Sequence, residues 1–484
     1  MLAPELRIAV ASQALQGLMA QHGVRLRFSP VERGGRCIVD ATRNLTGAYK
    51  LRGALASVSR AQAEGKTLVI TASAGNHGAG VAHAAHLLGM RALVYVPQGA
   101  PQVKVDTIAG CGADVVKAGE SFDEALAHAR GALSRAGTEG AFVHPFDDLT
   151  VAAGQGTIGL EILERIEALA QQQTLERIRV FLPLGGGGLL AGVASTIKTF
   201  WNPLLPCPQI IGVVDESSPA ALLGTLFGRP VAAVPDTIAD GTKVAVIGET
   251  FLSVSHLVDY MMLVRHDEIV ATMRKHEREA GERLEGAGAL ALTGERLASA
   301  YGLLGGSRGA LSFALVSGRN IDSGTFEREL ALDARLDTAT ETRVALDVAI
   351  PERDGELLRF LQTVRHFNIA SLTYKQHPGA AAGSLRAEFE VSREAIKRLV
   401  AAVEGCFPGS HQLGEGEEMV YRVGAPIAQH FEDELVTLDD RPGSFLRYID
   451  RVQAEGALGS VGFLFYRKPA AAGRAAQVVL GHRR

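Results

Sequence analysis

Cysteine is scarce in this chain, charge is nearly balanced, and no apolar run is long. Four cysteines among 484 residues, Cys37, Cys111, Cys207 and Cys406, stand apart with no paired spacing. That argues against a disulfide framework or a cysteine zinc site and fits reduced thiols in a cytoplasm. No metal is expected. The net charge of −4 leaves no basic excess for nucleic acid or an anionic membrane. No apolar stretch has the length that a bilayer span needs. The N-terminus carries Glu5 and Arg7 before a mixed amphipathic stretch, without the basic start, apolar core and cleavage site of a secretory leader. Nucleotide signatures are missing too. The glycine run at 185–188 is not followed by Lys-Ser/Thr, and no G-x-G-x-x-G is spaced for a dinucleotide.

What remains is a soluble globular composition, 47% apolar and 21% charged. The length suggests about three domains. Apolar, β-branched runs at 67–72, 92–96, 113–117, 141–144, 180–184, 210–214 and 311–316 read as strands, with helical segments between most of them. Helices are expected at 8–22, 51–64, 79–88, 103–110 and 121–135. Such alternation points to an α/β fold with parallel sheet covered on both faces. Ligands in such folds sit at the carboxyl ends of the strands. Residues 326–342 are charged and poor in bulky side chains, and read as a linker. Beyond them the texture becomes α+β, in the order strand 343–350, helix 356–366, strands 369–375 and 385–391, helix 394–403. The segment from Glu352 to Phe360 resembles that from Asp440 to Tyr448, so two copies of one small unit are expected.

Three stretches carry chemistry. Lys50 lies among small and apolar residues, Ala48-Tyr49-Lys50-Leu51-Arg52-Gly53-Ala54. In such surroundings a lysine can lose its charge and hold an aldehyde as a Schiff base. The plainer reading is a snorkelling surface lysine. Gly185-Gly186-Gly187-Gly188-Leu189 joins a strand to a helix. There, main-chain N–H groups and the helix N-terminus suit one phosphate monoester. A flexible turn is the alternative. Ser73-Ala74-Gly75-Asn76-His77 also lies between strand and helix. Ser73 and Asn76 are suited to cap that helix or to contact a ligand carboxylate or ring hydroxyl, and His77 reads first as a packed, neutral histidine. Ser317, in Ser-Gly-Arg-Asn at a strand end, has a hydroxyl that could meet a pyridine nitrogen or simply make a turn.

These strings occur in one order with His-Pro-Phe-Asp-Asp at 144–148 and Ala-Gly-Gln-Gly-Thr-Ile-Gly at 153–159. Together they resemble the threonine dehydratases (threonine ammonia-lyases) of biosynthetic type, pyridoxal-phosphate enzymes of fold type II, over residues 36–323. The resemblance implies pyridoxal 5′-phosphate as cofactor. It implies Lys50 as the Schiff-base lysine, Asn76 at the cofactor hydroxyl, Gly185, Gly186, Gly187, Gly188 and Leu189 at its phosphate, and Ser317 at its ring nitrogen. Ser73, Ala74, Gly75, Asn76 and His77 would bind the substrate carboxylate, and Glu285 would stand near the cofactor. The implied reaction is conversion of L-threonine to 2-oxobutanoate and ammonia, the first step of isoleucine biosynthesis. L-Serine or another hydroxyamino acid, a racemase, or an impaired amino-acid sensor are the alternatives.

The C-terminal copies resemble ACT-like regulatory modules. The implied organisation is a catalytic region at 1–325, a linker at 326–340, and modules at 341–414 and 418–484, the second shortened. An effector, isoleucine or alternatively valine, would bind at Leu357, Phe360 and Asn368. A cytoplasmic homo-oligomer, a tetramer, is implied. The chain departs from the family's usual pattern in having Ala48-Tyr49 in place of Ser-Phe, Val39-Asp40-Ala41-Thr42 in place of Lys-Arg-Glu-Asp, and Gly286 in place of Pro. It has no clear Thr-Pro-Leu near the N-terminus, and Ala457 to Ser460 replaces the Asn-Ile strand entry of the second copy.

Overall fold

The computed structural model describes residues 2–483 apart from 33, 306–308, 334–341, 352, 354, 376–381, 415–416, 424–430, 439–444, 446–447, 450, 453–460 and 468–475. Helix α1 (Pro4–Gln21) precedes β1 (Arg27–Phe28) and β2 (Arg36–Asp40). Then follow α2 (Leu51–Ala63), β3 (Leu68–Ala72), α3 (Asn76–Leu87), β4 (Arg91–Val96), α4 (Gln102–Gly110), β5 (Asp114–Lys117), α5 (Phe122–Ala136) and β6 (Gly140–Phe142). The long α6 (Leu149–Ala170) leads to β7 (Arg177–Pro183), α7 (Gly188–Phe200), β8 (Gln209–Asp215), α8 (Ala220–Phe227), α9 (Glu249–Leu252), β9 (Tyr260–Val264), α10 (His266–Ala280), α11 (Gly286–Ala300), β10 (Ala310–Val316) and α12 (Ser323–Asp333). The remainder holds β11 (Thr342–Pro351), α13 (Glu356–Thr363), β12 (Asn368–Lys375), β13 (Ala382–Val391), α14 (Arg393–Cys406), β14 (His411–Gln412), β15 (Val420–Arg422), β16 (Phe431–Leu438), β17 (Val461–Arg467) and β18 (Ala476–Arg483).

Two sheets build the first part. One runs β5-β4-β3-β6, all parallel. The other runs β1-β2-β10-β7-β8-β9-β15, parallel at its centre with antiparallel edges at β1 and β15. The central strands read as unbroken apolar runs because helices cover both faces. Phe181, Ile211, Val213, Leu263 and Phe313 are fully buried there. Asp148 caps α6 by accepting from the N–H groups of Thr150 and Val151, both at 2.8 Å.

The expected linker begins instead as α12. The Asp322 carboxylate accepts from Thr325 N at 2.9 Å and starts the helix, and Phe326 is completely buried. Surface charge at Glu327 and Arg328 hid that anchor. The other residues of the expected linker, 334–340, lie outside the described ones.

The third sheet, β14-β11-β13-β12-β17-β18-β16, is wholly antiparallel. The expected order of strand, helix, two strands and helix is present from β11 to α14. Strands β12 and β17 pair directly, so the two repeat regions share one sheet and one core. In the second repeat Phe445 stacks on Tyr466 with ring centroids 4.0 Å apart. Ala457 to Ser460 lie outside the described residues. Strand β15 leaves this region and pairs with β9, the edge of the second parallel sheet. Among the described residues, no helix is long and apolar enough to cross a membrane.

Candidate active site

Lys50 stands just before the first residue of α2, and a tight turn sets its direction. The Asn44 side chain ties that turn together, accepting from Thr46 N at 3.0 Å and donating to Ala41 O at 3.1 Å and Ala48 O at 2.9 Å. Gly47 has φ +66°, and a Cβ there would lie 2.4 Å from Asn320 Oδ1, so glycine is required twice over. The turn is sewn to the end of β10. Tyr49 N donates to Ser317 O at 3.0 Å, Arg319 N donates to Gly47 O at 3.2 Å, and Ala48 bridges Gly318. Lys50 is thereby held beside Ser317, 267 residues away in sequence. Its Nζ donates to Pro145 O at 3.0 Å.

Pro145 leads to the glycine run. A Cβ on Gly186 would lie 2.3 Å from Cγ of Phe146, and Gly187, at φ +93°, faces Phe251 as closely. The glycines are therefore dictated by neighbouring protein as well as by any ligand. Leu184 N donates to Val213 O at 2.8 Å, which pins the end of β7 to β8. Gly188 and Leu189 open α7, whose first-turn N–H groups have no partner within the helix. Those donors and the helix dipole form an anion site, and Lys50 Nζ reaches its rim through Pro145 and Phe146.

Helix α3 begins at Asn76, earlier than the small-residue pattern suggests. Neither Ser73 nor Asn76 caps it: Ser73 Oγ accepts from Gly75 N at 3.2 Å. The Asn76 side chain is held from both ends, donating to Glu285 Oε1 at 2.8 Å and accepting from Asn320 Nδ2 at 2.7 Å. Ser73 and Ala74 are half-buried and Gly75 is exposed, so this loop lines the opening. The His77 ring turns inward, with Nε2 3.0 Å from Thr71 Oγ1 and 3.1 Å from Val143 O. Burial first, and the Lys50 charge second, push its pKa down to about 3, so the ring is neutral at physiological pH. That leaves its main-chain N–H, in the first turn of α3, for a ligand.

Ser317 is buried, and its hydroxyl donates to Ala287 O at 3.0 Å. To donate to a ring nitrogen it must turn from that carbonyl. Glu285 immediately precedes α11. Dehydration first pushes its carboxyl up to about 7, opposed by the hydrogen bond from Asn76, with Asp240 pushing further up. His144 is lowered by burial, opposed by Asp147, and its Nδ1 accepts from Asp147 N at 2.8 Å. The turn that carries Lys50, the end of β10, the Asn76–Glu285 pair and the anion cradle are thus brought together by short contacts.

The proposed effector residues do not form a comparable opening. Leu357 and Phe360 are packed into the core of the third sheet, while Asn368 is exposed and donates to Glu390 Oε2 at 2.9 Å. Sequence reasoning assigned no role to Asn320, Pro145 or Phe146. Asn320 stands in the Ser-Gly-Arg-Asn string already singled out. The role of Pro145 belongs to its backbone carbonyl, which leaves no trace in residue type. Among the described residues, no group of three or more His, Cys, Asp or Glu could hold a metal ion.

Residues 32–312 match the family described as pyridoxal-phosphate dependent enzyme. The biosynthetic L-threonine dehydratase of Burkholderia multivorans is 32% identical over 415 residues, spanning 83% of this chain and 78% of that protein. The solved processed form of threonine deaminase isoform 2 from Solanum lycopersicum is 32% identical with a TM-score of 0.56, covering 68% of this chain and 87% of that one. The serine racemase of Dictyostelium discoideum is 26% identical with a TM-score of 0.54, over 65% of this chain and 98% of that one.

Proposed function

The chain belongs to the pyridoxal-phosphate dependent enzymes, and among them to the threonine dehydratases; from that premise we propose that it converts L-threonine to 2-oxobutanoate and ammonia. The observation that carries the reading is the set of contacts that brings Lys50, the glycine run, Asn76 and Ser317 together. These residues fit the cofactor: free helix-start donors for a phosphate, a lysine at the rim for an aldehyde, and a hydroxyl at the end of β10 for a ring nitrogen.

Pyridoxal phosphate, when bound, supplies an aldehyde and a conjugated ring that accepts electron density from a substrate carbon. Gly185 to Leu189 would hold its phosphate through main-chain N–H groups, and Lys50 Nζ would hold its aldehyde. Asn76, braced by Glu285 and Asn320, would meet the cofactor hydroxyl. Ser317 offers a neutral hydroxyl and no carboxylate to stabilise a protonated ring nitrogen, so it would leave that nitrogen unprotonated. The main-chain groups of Ser73 to His77 receive the substrate carboxylate. Lys50 Nζ, once released, takes the proton from the substrate α-carbon. His77 is too deep and too weakly basic to compete for it.

We further assign 341–414 and 418–484 as ACT-like modules that bind isoleucine, or alternatively valine, and lower activity from a distance. Leu357, Phe360 and Asn368 mark the first module's site, and the buried pair would have to part for an effector to enter. A cytoplasmic tetramer follows from the resemblance, and the four free cysteines suit a reducing compartment. L-Serine is the second substrate reading, favoured by the likeness to the serine racemase.

The test is release of 2-oxo acid from L-threonine by the purified protein supplied with pyridoxal phosphate. Wild type should release it and Lys50→Ala should not. Comparable turnover by both proteins would sink the assignment.

A further inference from the structure

A chain of contacts connects the antiparallel sheet to the glycine run. Arg343, near the start of β11, places Nη2 3.2 Å from Glu390 Oε1. Its Nη1 is 3.9 Å from Glu388 Oε2 and also 3.9 Å from Glu216 Oε2, which belongs to the segment just after β8. The Glu216 side chain is buried, and its N–H donates to Val264 O at 3.0 Å. The adjacent Asp215 carboxylate accepts from Ser217 N at 2.9 Å and from the Thr237 hydroxyl. Thr237 Oγ1 accepts from Ala239 N at 2.8 Å, and Ala239 O accepts from Thr242 N at 2.7 Å. Thr242 lies under the glycine run: a Cβ on Gly185 would stand 2.6 Å from its Cα. The same strap backs the Glu285 side of the site, because a Cβ on Gly286, beside Glu285, would stand 2.8 Å from Ile238 O.

A second attachment keeps the two sheets together at this point. Strand β15 pairs with β9, next to β8, and Arg386 of β13 donates to Val420 O at 3.0 Å while its guanidinium lies over the Tyr421 ring. The Arg343–Glu216 contact is therefore not an isolated surface pair. It lies where an antiparallel sheet meets a segment that backs onto the anion cradle.

We infer that Arg343 is a positioning residue for the glycine run, acting through Glu216 and the strap 236–242. The inference rests on the reading that this run holds the cofactor phosphate. Glu216 is buried, with Arg265 as well as Arg343 acting on it, so loss of the Arg343 charge changes the local electrostatics. The carboxylate then shifts, and the hydrogen-bonded strap beyond it moves with Asp215. Any ligand that displaces β11 relative to β8 would reach the anion cradle by this route.

The experiment titrates cofactor-stripped full-length protein with pyridoxal phosphate, following the visible absorption band. Thermal melting and hydrogen exchange of peptides covering 236–242 are recorded beside it. The proteins are wild type, Arg343→Met, Arg343→Lys, Glu216→Gln and the Met/Gln double variant. Arg343→Met and Glu216→Gln should each weaken affinity roughly three- to ten-fold, in the range of side chains that couple sites without touching ligand. Both should raise exchange in the strap. Arg343→Lys should restore most of the affinity. The double variant should bind no worse than the weaker single one, because both act on one contact. Wild-type affinity and exchange in both singles, or losses that multiply in the double variant, would overturn the inference. If Arg343→Met fails to fold, Glu216→Gln alone decides the matter by the same two readouts. Absence of any band in wild type would overturn the cofactor reading, and the inference with it.

Discussion

Glu285 gives the sharpest stability test. Its carboxyl is pushed up to about 7, first by burial, while an exposed glutamate ionises near 4.5. Between those values the folded protein holds a proton that the unfolded chain has released. Stability therefore falls as pH rises through this window, and the full cost is present above pH 7. A displacement of that size corresponds to about 3 kcal/mol between the two protonation states. Glu285→Gln keeps the Oε1 that accepts from Asn76 Nδ2 and stays neutral at every pH. Melting of cofactor-stripped wild type and variant, measured from pH 5 to pH 8, should show the variant gaining on wild type by several degrees toward the alkaline end. Asp215 and Glu268 are also raised, to about 6 and about 7, but they are common to both proteins and cancel in the comparison. A difference that does not change with pH would refute the assignment of a buried, proton-holding carboxyl.

Further outcomes follow from the packing. Gly186→Ala drives a methyl into the Phe146 ring and should cost about 1–3 kcal/mol by overpacking, read as a lower melting temperature together with weaker pyridoxal phosphate binding. Gly47→Ala places Cβ against Asn320 Oδ1 at φ +66°. It should cost at least about 1–2 kcal/mol from the left-handed backbone alone, and should lower threonine turnover more than thermal stability suggests, because the Lys50 turn loosens. A chain stopped after Asp333 would lose β15 and uncover the β9 edge. Light scattering should show it associating more readily than the full chain.

Much of the site was legible because its pieces are local strings with one conformational meaning. A glycine run between strand and helix, and a Ser-Ala-Gly-Asn-His string at a second strand–helix junction, announce anion and ligand loops. The parallel sheets followed from unbroken β-branched runs. Strand β9 escaped notice because Tyr-Met-Met-Leu-Val lacks the β-branched signature, and methionine fills helices as readily. Helix α12 reads as a linker in the sequence because its buried side is narrow, carried among the described side chains by Phe326 and, one turn on, the partly buried Leu330. Leu357 and Phe360, expected at an effector site by resemblance, stand on the buried face of amphipathic helix α13. The strap 236–242 has no periodicity at all. Its meaning lies in hydrogen bonds to Asp215 and a close approach to Gly185, contacts between residues distant in sequence.

The most direct test of the central claim is where the cofactor attaches. Borohydride reduction of the protein with pyridoxal phosphate, followed by peptide mapping, should place the reduced pyridoxyl group on Lys50. Its appearance on another lysine, with Lys50 unmodified, would contradict the site described here.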